Sequence, residues 1–266
     1  MLELFNQTPL DTPRLEQLAS MPEPRSRYII AITPRSGSSY LSNMLAKTGR
    51  FGSPPEPLGE KAVARLIRQI PARTPDEYVK NIIQIKKSKN GVSGLKASWF
   101  QFRNFMDAMT DASYFDNFKF IYLTRQNLDE QAVSLYKATA SSVFHTDKSH
   151  SEDALNKLAN LDYDFAEIDY WQRHIVAQEQ GWQQYFAEKN INALAITYEE
   201  IEQDILQVMR RIAVHVHVNP DAVMLPETAS AFRKISDNRN SEWAARFALE
   251  KSYEASLSIC DSNITS

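Results

Sequence analysis

The chain has 266 residues, of which 43% are hydrophobic, and a formal net charge of −3, so it can bury a core of its own without cross-links. The slightly acidic balance argues against a nucleic-acid-binding protein, because such proteins usually carry a basic excess. The single cysteine, Cys260, excludes an intramolecular disulfide and a cysteine-cluster metal site. No secretory leader and no segment of membrane-spanning length is recognised, so we expect a cytoplasmic protein.

Residues 1–26 are polar and contain four prolines. We predict an N-terminal arm here, with one short helix around Pro13–Ala19. The rest of the chain, 27–266, is predicted to form a single domain.

Four short segments of that domain are predicted to be strands. Each is apolar or β-branched and continuous rather than alternating, which favours strands buried on both faces. Helical patterns lie between them, so the sequence predicts an α/β fold with a central parallel sheet flanked by helices. The predicted strands are Tyr28–Thr33, Gly91–Ala97, Phe118–Thr124 and Ala193–Tyr198.

The loop after the first predicted strand is basic and rich in hydroxyls, and it leads directly into a helical pattern. Unpaired N–H groups at a helix start favour a phosphate-like anion. Arg35 adds a permanent charge, and Gly37 lets the backbone approach closely. Three serines add donors: Ser36, Ser38 and Ser39. The loop lacks the second glycine and the Lys-Ser/Thr of the nucleoside-triphosphate loop, and an ordinary turn capped by Ser36 or Ser38 explains it equally well.

The proline-rich segment Gly52–Leu58 follows the first helix of the domain and carries Glu56. Prolines stiffen this loop, so a carboxylate beside an anion site could act as a general base toward an acceptor hydroxyl. The alternative is a solvated surface glutamate.

The ends of parallel strands face one crevice, and three of the four predicted ends bring a cation, which suggests a ligand with more than one anionic group. Arg125 follows the third strand, and Ser134 lies nine residues later. The two side chains could bind one phosphate. The alternatives are an ion pair of Arg125 with Asp129 or Glu130, and a serine packed in a helix.

Four other features complete the pattern. The longest predicted helix, Asp164–Lys189, carries an aromatic stripe that we interpret as core. Residues 139–160 are polar and are predicted to form a mobile loop over a site. His215 and His217 could share a strand face, but the interleaved valines argue against a metal pair. Trp99 and Phe144 are guesses for a sugar-stacking wall.

Several motifs together resemble the bacterial trehalose 2-sulfotransferase (Stf0-type) family and, more distantly, the wider sulfotransferase superfamily. The resemblance spans about residues 28–250. It is carried by Thr33–Leu41, Gly52–Glu56, Gly94–Lys96, Tyr122–Arg125 with Gln131–Leu135, Tyr198–Ile201, and a C-terminal segment from Phe232 to Phe247.

The resemblance implies a P-loop-like three-layer fold and a sulfotransferase that uses 3′-phosphoadenosine 5′-phosphosulfate without a metal. It implies that Arg35–Ser39 hold the 5′-phosphosulfate and that Glu56 is the general base. It places Tyr198 near the adenine. It assigns the 3′-phosphate to Arg125 and Ser134, with Arg233 or Lys234 closing over it.

The acceptor is the less defined half of this assignment. The family usually follows its catalytic glutamate with aromatic residues, whereas Pro57 and Leu58 stand here. We therefore expect a hydroxyl of a carbohydrate or glycolipid rather than trehalose in particular. A homodimer is consistent with the family. Two alternatives remain: a nucleotide kinase or hydrolase of P-loop-like type, and a non-catalytic nucleotide- or sugar-binding protein.

Overall fold

The computed structural model describes residues 1–7, 10–111, 113–144, 150–225 and 238–264. Four strands form one parallel sheet in the order β2-β1-β3-β4. The strands are β1 (Ser26–Ile32), β2 (Val92–Ser98), β3 (Lys119–Thr124) and β4 (Leu194–Thr197). The predicted fold class and all four predicted strands are confirmed, with ends displaced by one or two residues.

Eleven α-helices are found in the described part of the chain, and most of them connect consecutive strands. Two short 3₁₀ helices cover Tyr114–Asn117 and Pro220–Ala222. The α-helices are α1 (Leu2–Gln7), α2 (Thr12–Ala19), α3 (Ser38–Lys47), α4 (Glu60–Leu66), α5 (Pro75–Ile85), α6 (Trp99–Met106), α7 (Leu128–Ser141), α8 (Glu152–Ala159), α9 (Phe165–Glu188), α10 (Tyr198–His215) and α11 (Asn238–Ile264).

The described residues fall into two compact units. The first comprises Met1–Thr124 and Gln178–Ala231 and contains the whole sheet. The second comprises Arg125–Ala177 and Phe232–Ser266 and contains α7, α8, the first half of α9, and α11. The single domain over 27–266 with an arm before it stays a prediction.

The core of the first unit is aromatic. Trp182 of α9 is fully buried, and its ring lies 5.0 Å from that of Phe102 and 6.3 Å from that of Tyr185. Its indole N–H donates to the carbonyl of Ile32 over 3.1 Å. This bond joins α9 to the last residue of β1, just before the loop Arg35–Ser39 that is predicted to bind an anion. In the second unit, Ile168 of the same helix is also buried, so the stripe is core, as predicted.

Helices α1 and α2 belong to the first unit and pack against its other elements. α2 begins after Asp11, whose carboxylate accepts from the N–H of Arg14 over 3.0 Å, which confirms the helix predicted around Pro13–Ala19. Leu18 is completely buried, and the Phe5 ring lies edge-on to Tyr78 at 5.8 Å.

Two local predictions are wrong. The polar segment 139–160 is helical at both ends, since α7 extends to Ser141 and α8 occupies Glu152–Ala159; residues 145–149 lie outside the described residues. His215 ends helix α10 rather than lying in a strand, and its Nε2 hydrogen-bonds the Phe120 carbonyl over 2.9 Å.

No group of three metal-ligating side chains occurs among the residues that the structure describes. Over the same residues, no helix has the length and apolar character needed to cross a bilayer.

Candidate active site

The loop between β1 and α3 has the backbone of an anion-binding nest. Arg35 has φ +67° and Gly37 has φ +82°, so two left-handed residues alternate with Ser36. Alternation of this kind turns successive N–H groups toward one concavity, which suits an anion. Gly37 is the N-cap residue of α3, so the cap residue supplies no side-chain hydrogen bond to the first turn of the helix. The alternative in which Ser36 or Ser38 caps the helix is therefore wrong, because Gly37 takes the N-cap position.

The serines of this loop differ in their surroundings. Ser36 is fully buried and its hydroxyl donates to the carbonyl of Thr33 over 2.8 Å, which braces the turn. Ser38 is buried, whereas Ser39 is exposed and accepts a hydrogen bond. Ser39 is thus the serine most open to a ligand.

Gly37 is required by space as well as by conformation. A Cβ added here would lie 2.7 Å from Cδ2 of Tyr198. Tyr198 is 6% exposed and its hydroxyl donates to the Glu202 carboxylate over 2.9 Å. The tyrosine ring therefore lies directly against the nest; its place near the adenine stays a prediction.

The start of α10 fixes that tyrosine. Thr197 and Glu200 form a capping box, with bonds of 2.7 Å and 3.2 Å between each side chain and the other's backbone N–H. Burial acts to raise the pKa of Glu200, but the Thr197 N–H and the Arg211 guanidinium outweigh it and hold the pKa below its usual value. The charged cap anchors the first residue of the helix.

Glu56 is held at both carboxylate oxygens. Gln101 Nε2 donates to Oε1 over 3.0 Å, and the ammonium of Lys96 lies 3.3 Å from Oε2. The side chain is 38% exposed. The loop is also fixed through its backbone, because the carbonyl of Pro55 accepts from the N–H of Lys96 over 2.7 Å. A freely solvated glutamate is therefore wrong for this position: Glu56 is fixed but accessible.

Lys96 connects Glu56 with the first turn of α3. Its ammonium donates to Ser39 Oγ over 3.1 Å, and its side chain is only 9% exposed. The sequence identified Lys96 only as a cation at a strand end and missed Gln101. The spacing of Ser98 and Gln101, which form a capping box with a 3.1 Å bond, was the available signal for that glutamine.

A pocket of about 350 Å³ lies beside the Glu56 network. Gln101 belongs to both, since it bonds Glu56 and lines the pocket. The other lining residues combine apolar, carboxamide and carboxylate groups: Met1, Leu58, Gly59, Glu60, Phe100 and Asn104.

Trp99, a guess for a sugar-stacking wall, instead packs at 5.3 Å from Trp182 in the aromatic core. Phe144 is 41% exposed, and nothing further connects it to a sugar.

The second unit holds the other predicted anion-binding residues. Arg125 is 7% exposed, and its guanidinium lies 2.5 Å from the Glu130 carboxylate, so the ion pair foreseen as an alternative is present. Asn127 caps α7 by accepting from the Glu130 N–H over 3.0 Å. Ser134 lies one turn after Glu130 on the same helix and is partly buried.

Two further polar groups lie near this part of the second unit. Lys137 is 7% exposed and donates to the side-chain oxygen of Asn240 over 2.6 Å. The two residues are 103 positions apart, so no local pattern predicts this bond. Ser241 Oγ lies 3.5 Å from the second oxygen of Glu130. Arg233 and Lys234 lie outside the described residues.

Comparison with known proteins matches residues 27–250 to the Stf0 sulphotransferase family model. The chain is 22% identical to the trehalose 2-sulfotransferase of Mycobacterium tuberculosis (strain ATCC 35801 / TMC 107 / Erdman), over 84% of this chain and 94% of the relative. It is also 22% identical to the trehalose 2-sulfotransferase of Mycolicibacterium smegmatis, over 83% of this chain and 93% of the relative.

Two solved structures are similar at lower levels. A sulfotransferase from Alicyclobacillus acidocaldarius gives a TM-score of 0.44 at 17% identity, over 84% of this chain and 92% of that one. A retinol dehydratase in a complex with retinol and PAP gives a TM-score of 0.39 at 15% identity, over 94% of this chain and 85% of that one.

Proposed function

The chain belongs to the Stf0 sulphotransferase family, and on that premise we propose that it moves a sulfuryl group from 3′-phosphoadenosine 5′-phosphosulfate to a hydroxyl of a small carbohydrate or glycolipid. The family membership confirms the resemblance in the motifs and makes the protein a sulfotransferase. The donor, the acceptor and the residue roles are the proposal.

The observation that carries the proposal is the nest between β1 and α3. Arg35 and Gly37 turn the backbone N–H groups inward, and the N-terminus of α3 adds its positive dipole end. These groups, with the Arg35 guanidinium and Ser39, suit the 5′-phosphosulfate. Tyr198, packed against Gly37, suits the adenine side of the same nucleotide.

The 3′-phosphate is assigned to Arg125 and Ser134 in the second unit. An arginine fork binds phosphate oxygens in pairs, and a serine hydroxyl adds a neutral donor. Arg125 is engaged by Glu130, so we propose that the phosphate shares or displaces this carboxylate. The roles proposed for Arg233 and Lys234 rest on the family resemblance alone.

The acceptor is assigned to the pocket that shares Gln101 with Glu56. Carboxamides beside apolar surface suit a polyhydroxylated ring, which needs both hydrogen bonds and a flat contact. The relatives named trehalose 2-sulfotransferase make trehalose the first acceptor to test. Pro57 and Leu58, where the family has aromatic residues, are the reason to test other sugars and glycolipids beside it.

Glu56 is proposed as the general base. The acceptor oxygen forms the new bond to sulfur while its proton passes to the Glu56 carboxylate. The bond from sulfur to the 5′-phosphate oxygen breaks, and its electron pair stays on that oxygen. The Arg35 guanidinium and the first N–H groups of α3 stabilise the negative charge that grows there. When bound, the donor supplies both the sulfuryl group and the leaving bisphosphate.

The test is transfer from ³⁵S-labelled donor to trehalose and to a panel of sugars and glycolipids, with and without Glu56→Gln. We expect Glu56→Gln to reduce transfer by about two orders of magnitude or more while the affinity for adenosine 3′,5′-bisphosphate stays within threefold. The control is Glu16→Gln, an exposed carboxylate of α2. Equal loss of transfer and of bisphosphate binding in Glu56→Gln would contradict the general-base role.

A further inference from the structure

Lys96 is the charged residue of strand β2, whose residues are all buried. It lies in β2, pairs with Ile30 of β1 in the register of the sheet, and is almost fully buried. A buried ammonium is costly unless it is paired and hydrogen-bonded. Packing of the sheet alone therefore does not explain a lysine at this position.

The Lys96 ammonium contacts two polar side chains of the candidate active site. Two of its three possible donors are directed at Glu56 Oε2 and Ser39 Oγ, at 3.3 Å and 3.1 Å. Gln101 holds the other oxygen of Glu56. The Glu56 carboxylate is thus contacted on both oxygens, by Lys96 and by Gln101. Lys96 also contacts Ser39 at the anion-binding loop.

We infer that Lys96 is a positioning residue that holds the proposed base and couples it to the first turn of α3, an inference that rests on the proposed function. While Glu56 is a carboxylate, the ammonium balances its charge and fixes its orientation toward the acceptor pocket. When Glu56 takes the acceptor's proton, that negative charge disappears, and the ammonium of Lys96 loses its counter-charge.

The released positive charge then has a new partner at the same place. Ser39 belongs to the first turn of α3, which is where the proposed mechanism develops negative charge on the departing oxygen. Lys96 therefore exchanges one counter-charge for another without moving across the site. This makes proton removal and bond breaking mutually supportive, which an isolated carboxylate could not do.

The test compares Lys96→Met, which keeps the length and loses the charge, with Lys96→Arg, which keeps the charge. The control is Lys80→Met, because Lys80 makes only a surface ion pair, 3.0 Å from Glu23. Each variant is checked for thermal unfolding and for affinity for adenosine 3′,5′-bisphosphate, and the transfer rate from labelled donor to trehalose is measured at saturating donor.

We expect Lys96→Met to lower kcat by about 100-fold, in the range seen when one electrostatic donor is removed from an anion site. Bisphosphate affinity stays within threefold, and Lys96→Arg recovers at least a tenth of the wild-type rate. Because Lys96 acts partly through Glu56, the combined loss of rate in the double variant Glu56→Gln, Lys96→Met is smaller than the product of the two single losses.

Three results would overturn the inference: a Lys96→Met rate within threefold of the wild type, additive losses in the double variant, or a parallel fall in bisphosphate affinity, which would make Lys96 a donor ligand. Failure of the proposed function itself would appear differently, as a wild-type protein that transfers sulfate to none of the acceptors. That result would overturn both.

Discussion

The carboxamide of Gln101 hydrogen-bonds the Glu56 carboxylate over 3.0 Å, and its oxygen accepts from the backbone N–H of Ser98 over 3.1 Å. One side chain thus joins the start of helix α6 to the proposed base. Because a hydrogen bond to a charged group contributes about 1.5–3 kcal/mol, we expect Gln101→Leu to lower kcat by roughly 10- to 100-fold. Bisphosphate affinity should be unchanged by titration.

Ser98→Ala is the matched control for that experiment. It removes the serine half of the same capping box but keeps the Gln101 side chain. We expect it to cost about 1 kcal/mol of stability with little change in kcat. If both variants lost activity equally, the cap rather than the contact with Glu56 would be responsible.

Alanine substitutions at Gly37 and Gly49 distinguish the cost of a strained backbone from the cost of a clash with Tyr198. Both have positive φ, at +82° and +68°, but a Cβ at Gly49 meets nothing within 4 Å, whereas one at Gly37 meets the Tyr198 ring at 2.7 Å. Gly49→Ala should cost about 1–2 kcal/mol of unfolding free energy and leave bisphosphate binding intact.

Gly37→Ala should cost more than Gly49→Ala in urea unfolding, because the ring of Tyr198 must move as well. It should also weaken bisphosphate binding at least tenfold, since the nest itself is distorted. Equal effects of the two alanines on stability and on binding would mean that the loop around Gly37 is not the nucleotide site.

Glu130 is expected to compete with the 3′-phosphate for Arg125, since the two side chains lie 2.5 Å apart. Glu130→Gln removes the negative charge and should tighten bisphosphate binding by about three- to tenfold, the size of a partly buried ion-pair effect of roughly 1 kcal/mol. Calorimetric titration measures it, with the exposed Glu152→Gln as control. Weaker binding in Glu130→Gln would instead mean that Glu130 orients Arg125 for its ligand.

His215 should make stability depend on pH. Burial lowers its pKa below the ordinary value of 6.5, assisted by the charges of Lys119 and His217, although the bond to the Phe120 carbonyl acts in the opposite direction. The unfolded chain then binds more protons just below pH 6.5, so the unfolding free energy is highest above that pH and falls as the pH is lowered. His215→Gln should flatten this slope between pH 5 and 7 in urea unfolding; an unchanged slope would contradict it.

The sheet and the nest were predictable because their signals are local. The strands are continuous apolar segments, and a proline, an arginine, a glycine and serines follow β1 within a few residues of Ile32. Helix α8 was missed because it is only eight residues long and lies in a segment rich in polar residues.

The surroundings of Glu56 were not predictable from the sequence. Lys96 and Gln101 lie 40 and 45 residues away from it, and they reach it only because the Pro55 carbonyl bonds the backbone of β2. That register depends on tertiary packing, which no local pattern encodes. Likewise, the sequence offered the ion pair of Arg125 only as one of two alternatives, since the choice of partner depends on how the α7 start folds back.

Calorimetric titration of the protein with adenosine 3′,5′-bisphosphate in the absence of magnesium, with AMP and ATP as comparisons, tests the proposed donor. We expect the bisphosphate to bind more tightly than both, with binding lost in Arg125→Ala and retained in Arg173→Ala, whose side chain is 73% exposed in a surface ion pair. Absence of binding, or a preference for ATP that requires magnesium, would contradict the proposed donor and favour a kinase-like protein.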